Sequence, residues 1–215
     1  MRLFRPWSAF TRLYPGALFR IETQEKLLLL TFDDGPDPAS TPGLLEILEK
    51  YNIKAAFFCT GIKAEKYPWL TGEIKAAGHV VGNHGYSHLN GWITSCRNYL
   101  ADVAQADNLT SPELFRPPYG RLTMCQYYTL LKKYSIVLWD LMPYDFDSSF
   151  GHEGTLEVLK KKIRPGSIIV LHDTPLSCAG EILEEFLNYA VSGGWFFKSI
   201  DQVHVGASSS PGVGR

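Results

Sequence analysis

Short apolar runs alternate along this chain with longer stretches in which apolar positions recur every three or four residues. The runs Lys26–Thr31, Ala55–Cys59, His79–Gly82, Leu114–Arg116, Ser135–Leu141, Ser167–Leu171 and Trp195–Lys198 predict strands. Helices are predicted between them. One opens on Ser40-Thr41-Pro42, a capping residue with proline in the first turn, and continues through Leu44, Leu45, Ile47 and Leu48. Others are predicted over Pro68–Ala77, Thr94–Ala106, Thr123–Tyr134, Thr155–Ile163 and Glu181–Ser192. Strands that are apolar throughout, each followed by a helix, predict an α/β fold whose parallel sheet is covered on its outer face, either a (β/α) barrel or an open doubly wound sheet. In both architectures the functional residues collect at the carboxyl ends of the strands.

Composition narrows the partners. With 215 residues, 21 Lys+Arg against 22 Asp+Glu and 45% apolar residues, the chain has one substantial core and lacks both a nucleic-acid footprint and a disordered composition. No apolar run reaches the ~18 residues of a transmembrane helix. Residues 1–25 are expected to pack on a domain formed by 26–204, and 205–215 to form a loose tail. In the first segment Leu3, Trp7, Phe10 and Tyr14 fall at near-helical spacing opposite arginines; packing on the domain is expected, with peripheral membrane contact as the alternative. Pro6 and Arg12 interrupt any stretch resembling an export signal, so a cytoplasmic location is expected. Cys59, Cys96, Cys125 and Cys178 form no C-x-x-C pair and are expected to be structural thiols of a reducing compartment.

The polar residues at the strand ends carry the chemistry. Asp33 and Asp34 follow four leucines, and two adjacent carboxylates near a core call for a metal ion or an arginine, unless one only caps the turn at Gly35-Pro36. His84 and His88 are four apart, a spacing that turns two imidazoles to one point; alone it is weak, but with an aspartate it makes three N/O metal ligands. Arg116 stands beside a stiff double proline, Asp140 and Asp145 follow the fifth strand, and His172 ends the sixth, where an acid or base is expected. Trp139 is expected in the core.

In order, TFDDGP, NHGYSH, RPPYG, WDLMPYDF and IIVLHD resemble the five motifs of the polysaccharide deacetylase family, the NodB-homology domain of carbohydrate esterase family four. The resemblance runs from Leu27 to about Val203. It implies a distorted (β/α) barrel of about seven parallel strands and a metal-dependent hydrolase that releases acetate from an acetylated amino-sugar oligo- or polysaccharide. Position by position it implies that Asp34, His84 and His88 bind a divalent ion, most simply zinc, with Asp33 as base and Arg116 holding it. It further implies an oxyanion contact at the Tyr119 N–H, and His172 as an acid oriented by Asp145. Phe146, Leu171 and Pro118 are expected to line the substrate pocket, Leu171 beside the acetyl methyl. Four positions depart from the family pattern: Gly85 stands where a serine or threonine steadies the loop, Met142 at an aspartate, Phe146 at a tryptophan and Val170 at a leucine.

Two other classes compete. A facial triad of a non-haem iron oxygenase also uses two histidines and a carboxylate, and a glycan-binding relative without turnover would keep the pocket. Hydrolysis of a small amide is a third variant. An aspartyl-phosphate phosphatase needs its aspartates two apart, where this chain has Gly35.

Overall fold

The computed structural model describes residues 2–110 and 113–203; the tail predicted over 205–215 lies outside them. Among the described residues, the seven predicted strands form one sheet in which every pairing is parallel. They are β1 (Leu27–Asp33), β2 (Ala56–Cys59), β3 (Val80–Asn83), β4 (Leu114–Phe115), β5 (Ser135–Ile136), β6 (Ser167–His172) and β7 (Phe196–Phe197). The spatial order is β5-β4-β3-β2-β1-β6, with β7 paired to the first two residues of β1. The helices are α1 (Ser8–Leu13), α2 (Thr41–Lys50), α3 (Gly61–Lys66), α4 (Pro68–Ala76), α5 (Cys96–Ala106), α6 (Met124–Leu130), α7 (Gly151–Lys162) and α8 (Ala179–Ser192). None is long and apolar enough to cross a membrane.

Strand alternation divides the apolar residues between two layers. Leu28, Leu30 and Phe32 of β1 pack with Leu44 and Leu48 of α2 and with Leu183 and Phe186 of α8, forming the sheet–helix layer. Leu27 and Leu29 face inward with Ala56, Phe58, Val137 and Ile168. On that inner face the next two residues are Thr31 and Asp33, both buried, so the interior turns from apolar to polar toward the carboxyl end. Burial on both faces explains why these strands are continuous apolar runs.

The barrel is distorted where β5 ends early. A single strand was predicted from Ser135 to Leu141, but only its start pairs with β4; Leu141 pairs instead with Ile169 of β6. The N-terminal segment fills the gap. Leu18 bridges Val137, and Arg20 bridges Ser167 in antiparallel sense. Asp140 lies at the amino end of β6, where its carboxylate accepts from Ser167 Oγ at 2.6 Å and from Arg164 Nε at 3.0 Å. It therefore stands at the opposite end of the barrel from the strand-end cluster with which the sequence groups it.

Two local expectations are corrected. Ser40 does not cap α2; its hydroxyl donates to Asp173 at 2.5 Å. Cys96 and Cys125 are not thiols, because α5 and α6 begin side by side and bring their Cα atoms within 6.3 Å, where they are joined as a disulfide. Cys59 and Cys178 are buried thiols. With that bond, cysteine usage no longer speaks for a reducing compartment.

Candidate active site and metal centre

β1 and β6 run in register with Asp33 opposite His172, and this places the two candidate proton-transfer groups on adjacent strand ends. Asp33 Oδ1 accepts from Arg116 Nη1 at 2.7 Å, while Oδ2 has no hydrogen-bond donor among the described residues. Arg116 is fully buried and places three further N–H groups on the protein. Nη1 also donates to Thr31 Oγ1 at 2.7 Å, Nε to the Val137 carbonyl at 3.2 Å and Nη2 to the Leu138 carbonyl at 3.0 Å, with the guanidinium over the Phe58 ring at 4.1 Å. Burial lowers its pKa, and the Asp33 carboxylate opposes that loss. A buried guanidinium with this many partners fixes the carboxylate it holds.

Asp34 faces the other way because its backbone turns into the left-handed region, at a φ of 71°, a conformation aspartate tolerates better than most residues. Its Oδ1 lies 3.4 Å from His84 Nε2 and 3.0 Å from His88 Nε2, yet this buried oxygen has no hydrogen-bond donor. Burial works to raise the Asp34 pKa, but the two imidazoles outweigh it and hold the carboxyl well below the usual range. His84 Nδ1 donates to the Arg116 carbonyl at 2.7 Å, since a carbonyl can only accept, and this leaves Nε2 directed at Asp34. An orphaned anionic oxygen beside two imidazole nitrogens, all three donor atoms within 4.8 Å of one another, fits a divalent transition-metal ion with coordination positions left open.

The loop carrying the histidines is rigid without the missing hydroxyl at Gly85. Asn83 Oδ1 accepts from the Gly85 N–H at 2.7 Å, and the Asp102 carboxylate accepts from the N–H groups of Tyr86 and Ser87 at 2.9 and 3.0 Å. A Cβ at position 85, where φ is +73°, would stand 3.0 Å from Asp102 Oδ2, so glycine and aspartate fit as a pair. The loop's carbonyls are used as well: Gly85 and Tyr86 accept from the first N–H groups of α3, at 2.8 and 3.0 Å.

His172 Nδ1 meets Asp145 Oδ1 at 2.9 Å, and Asp145 Oδ2 accepts from the His172 backbone N–H at 2.7 Å and from Ser177 Oγ at 2.5 Å. Burial alone would lower the imidazole's pKa, but Asp145 first, then Asp33 and Asp34, push it up to about 9. Phe146 stands edge-on to the His172 ring at 4.7 Å and is exposed. Tyr119 sits at a φ of 59° with its ring against His88 at 4.6 Å, beside buried Pro118. Leu171 does not line this mouth: alternation along β6 turns it into the sheet–helix layer, and Val170 shares the face of His172. Thr31, Asn83, Asp102 and Ser177 were given no role from sequence. Asp102 left a trace, being the one carboxylate among the buried positions Tyr99, Asp102, Val103 and Ala106 of α5.

Residues 20–136 match the family described as polysaccharide deacetylase. The chain belongs to the polysaccharide deacetylase family. Among relatives, it is similar to a peptidoglycan-N-acetylglucosamine deacetylase of Bacillus cereus, at 36% identity over 153 residues, covering 68% of this chain and 55% of that protein. It is also similar to a chitooligosaccharide deacetylase of Azorhizobium caulinodans, at 31% identity, covering 74% of this chain and 79% of the relative. The crystal structure of the Bc1960 peptidoglycan N-acetylglucosamine deacetylase in complex with 4-naphthalen-1-yl-N-oxidanyl-benzamide superimposes with a TM-score of 0.81 at 29% identity, covering 91% of this chain and 96% of that one. At the level of the family, a polysaccharide deacetylase is a hydrolase of carbohydrate metabolism with a metal-binding centre. The family match stops short of Asp145 and His172, whose pairing is seen in the structure alone.

Proposed function

We propose that this protein hydrolyses the N-acetyl group of an amino sugar within an oligo- or polysaccharide of the chitin or peptidoglycan kind, releasing acetate and a free amine. The observation that carries this reading is the division of the Asp33-Asp34 pair: one carboxylate lies on a buried arginine, and the next is orphaned between two imidazoles. Asp34, His84 and His88 would hold the ion, most simply zinc; when bound it supplies a Lewis acid that polarises the acetyl carbonyl and makes water more acidic. The remaining steps belong to side chains of this chain. Asp33 Oδ2, free of protein donors, takes the proton of the attacking water as its oxygen bonds to the acetyl carbon. The Tyr119 N–H, which has no acceptor among the described hydrogen bonds, meets the carbonyl oxygen as it gains charge. His172, protonated and aimed by Asp145, gives its proton to the nitrogen as the carbon–nitrogen bond breaks, so that the amine leaves neutral.

The test is acetate release from N-acetylated chito-oligosaccharides and peptidoglycan fragments. Release with zinc, loss on chelation and return on adding the ion are expected. No acetate from any of these substrates, with the metal bound, would contradict the reading.

A further inference from the structure

Away from the metal centre, the far side of Tyr119 borders a cavity of about 220 Å³ lined by Trp7 and Phe10 of the N-terminal segment, by Trp92 and Trp139, and by Tyr144. Three of its rings are more than half exposed: Trp7 at 61%, Trp92 at 55% and Tyr119 at 57%. Apolar rings gathered around one hollow, rather than scattered singly, mark a binding surface. The segment presenting Trp7 is anchored. Arg2 donates twice to the Asp147 carboxylate, at 2.9 and 2.7 Å, the Phe4 carbonyl accepts from the Met142 N–H at 2.9 Å, and the Phe4 ring packs on Tyr144 and Phe150. Trp7 is therefore held out to solvent by its neighbours.

We propose that this groove is a subsite for a second saccharide ring, next to the ring whose acetyl group is cleaved, with Trp7 and Trp92 as its stacking faces. The proposal rests on the function given above. Continuity carries it: Tyr119 packs on His88 with one face of its position and borders the groove with the other, so a chain of linked rings that reaches the metal centre passes over Trp92 and Trp7. At about 220 Å³ the hollow is commensurate with one hexose ring. Indole faces suit the axial C–H faces of such a ring. Arg121, stacked 4.8 Å over Trp92 and with no carboxylate in ion-pair range among the described residues, offers N–H donors to its hydroxyls. Trp7 and Phe10 precede residue 20, where the family match begins, so this wall lies outside the matched residues.

The experiment compares Trp7→Ala, Trp7→Phe and wild type on N-acetylglucosamine and on its β-linked trimer, with acetate release and trimer binding by tryptophan fluorescence both recorded. For the alanine variant, KM and Kd for the trimer should rise about threefold or more, with KM for the monosaccharide unchanged and most of the loss restored by phenylalanine. Equal effects on both sugars, or none on the trimer, overturn the subsite. If wild type releases no acetate from either sugar, the function fails separately; trimer binding weakened by Trp7→Ala would still support the groove, and binding unchanged would overturn it. Thermal melting shows whether the alanine variant folds; if it does not, Trp92→Ala carries the comparison with the same expected result, and no effect of that variant on the trimer overturns the subsite.

Discussion

Asp33 ends β1 with its Oδ1 on Arg116, whereas Asp34 turns back at a φ of 71° toward His84 and His88. The backbone, more than the side chains, separates the two carboxylates. The same logic of environment governs His172. Its pKa, raised to about 9 from an ordinary 6.5, keeps the imidazole a proton donor through neutral pH. The stability gained from the Asp145 pair is full below about pH 6.5 and is lost as pH rises through about 9. Activity should therefore fall on an alkaline limb at or below about pH 9, since a cation on Asp34 offsets the smallest of the charges that raise this pKa. Asp145→Asn should move that limb to lower pH; a pH–rate profile with the limb unmoved would remove Asp145 from the role of orienting His172.

At the scale of elements, β1, β2, β3 and β6 were legible because apolar runs buried on two faces leave few other readings. The short α3 was not predicted: Gly61–Lys66 is under two turns and follows Cys59 with a single intervening residue, so the pattern lacks a period to detect. α7 begins at Gly151 rather than Thr155 because its first turn holds two glycines, which resemble a loop in sequence. The candidate metal ligands were visible from their motifs, but the residues that steady their loop were not. Asp102 is 14 positions beyond His88 and acts only when α5 folds against the loop. Asp102→Asn keeps one acceptor oxygen and loses the other, so metal affinity should fall roughly 10–100-fold, as for other supports of a ligand loop. Competition against a chelator measures it, and an unchanged affinity would leave the loop's rigidity to Asn83 and α3.

For the whole molecule, the barrel is completed by parts that the strand pattern did not suggest. The N-terminal segment bridges β5 and β6 through Leu18 and Arg20, and the Cys96–Cys125 disulfide ties α5 to α6. Both are long-range pairings, and neither spacing nor periodicity encodes which distant residue meets which. The motifs pointed to one rim because four of the five follow the carboxyl end of a strand, and a parallel sheet gathers those ends together; the fourth, WDLMPYDF, has Asp140 at the far end of the barrel and Asp145 at the rim. That convergence also makes the rim interdependent: truncating Asp33 would strand the buried Arg116 charge at a cost of about 3–5 kcal/mol, so an isosteric change is the informative one.

The most direct test is elemental analysis of the purified wild type beside Asp33→Asn and His84→Ala. About one divalent ion per chain is expected in wild type and in Asp33→Asn, and essentially none in His84→Ala, as three-ligand sites require. Full metal in His84→Ala, or its loss in Asp33→Asn, would contradict the division of the two aspartates.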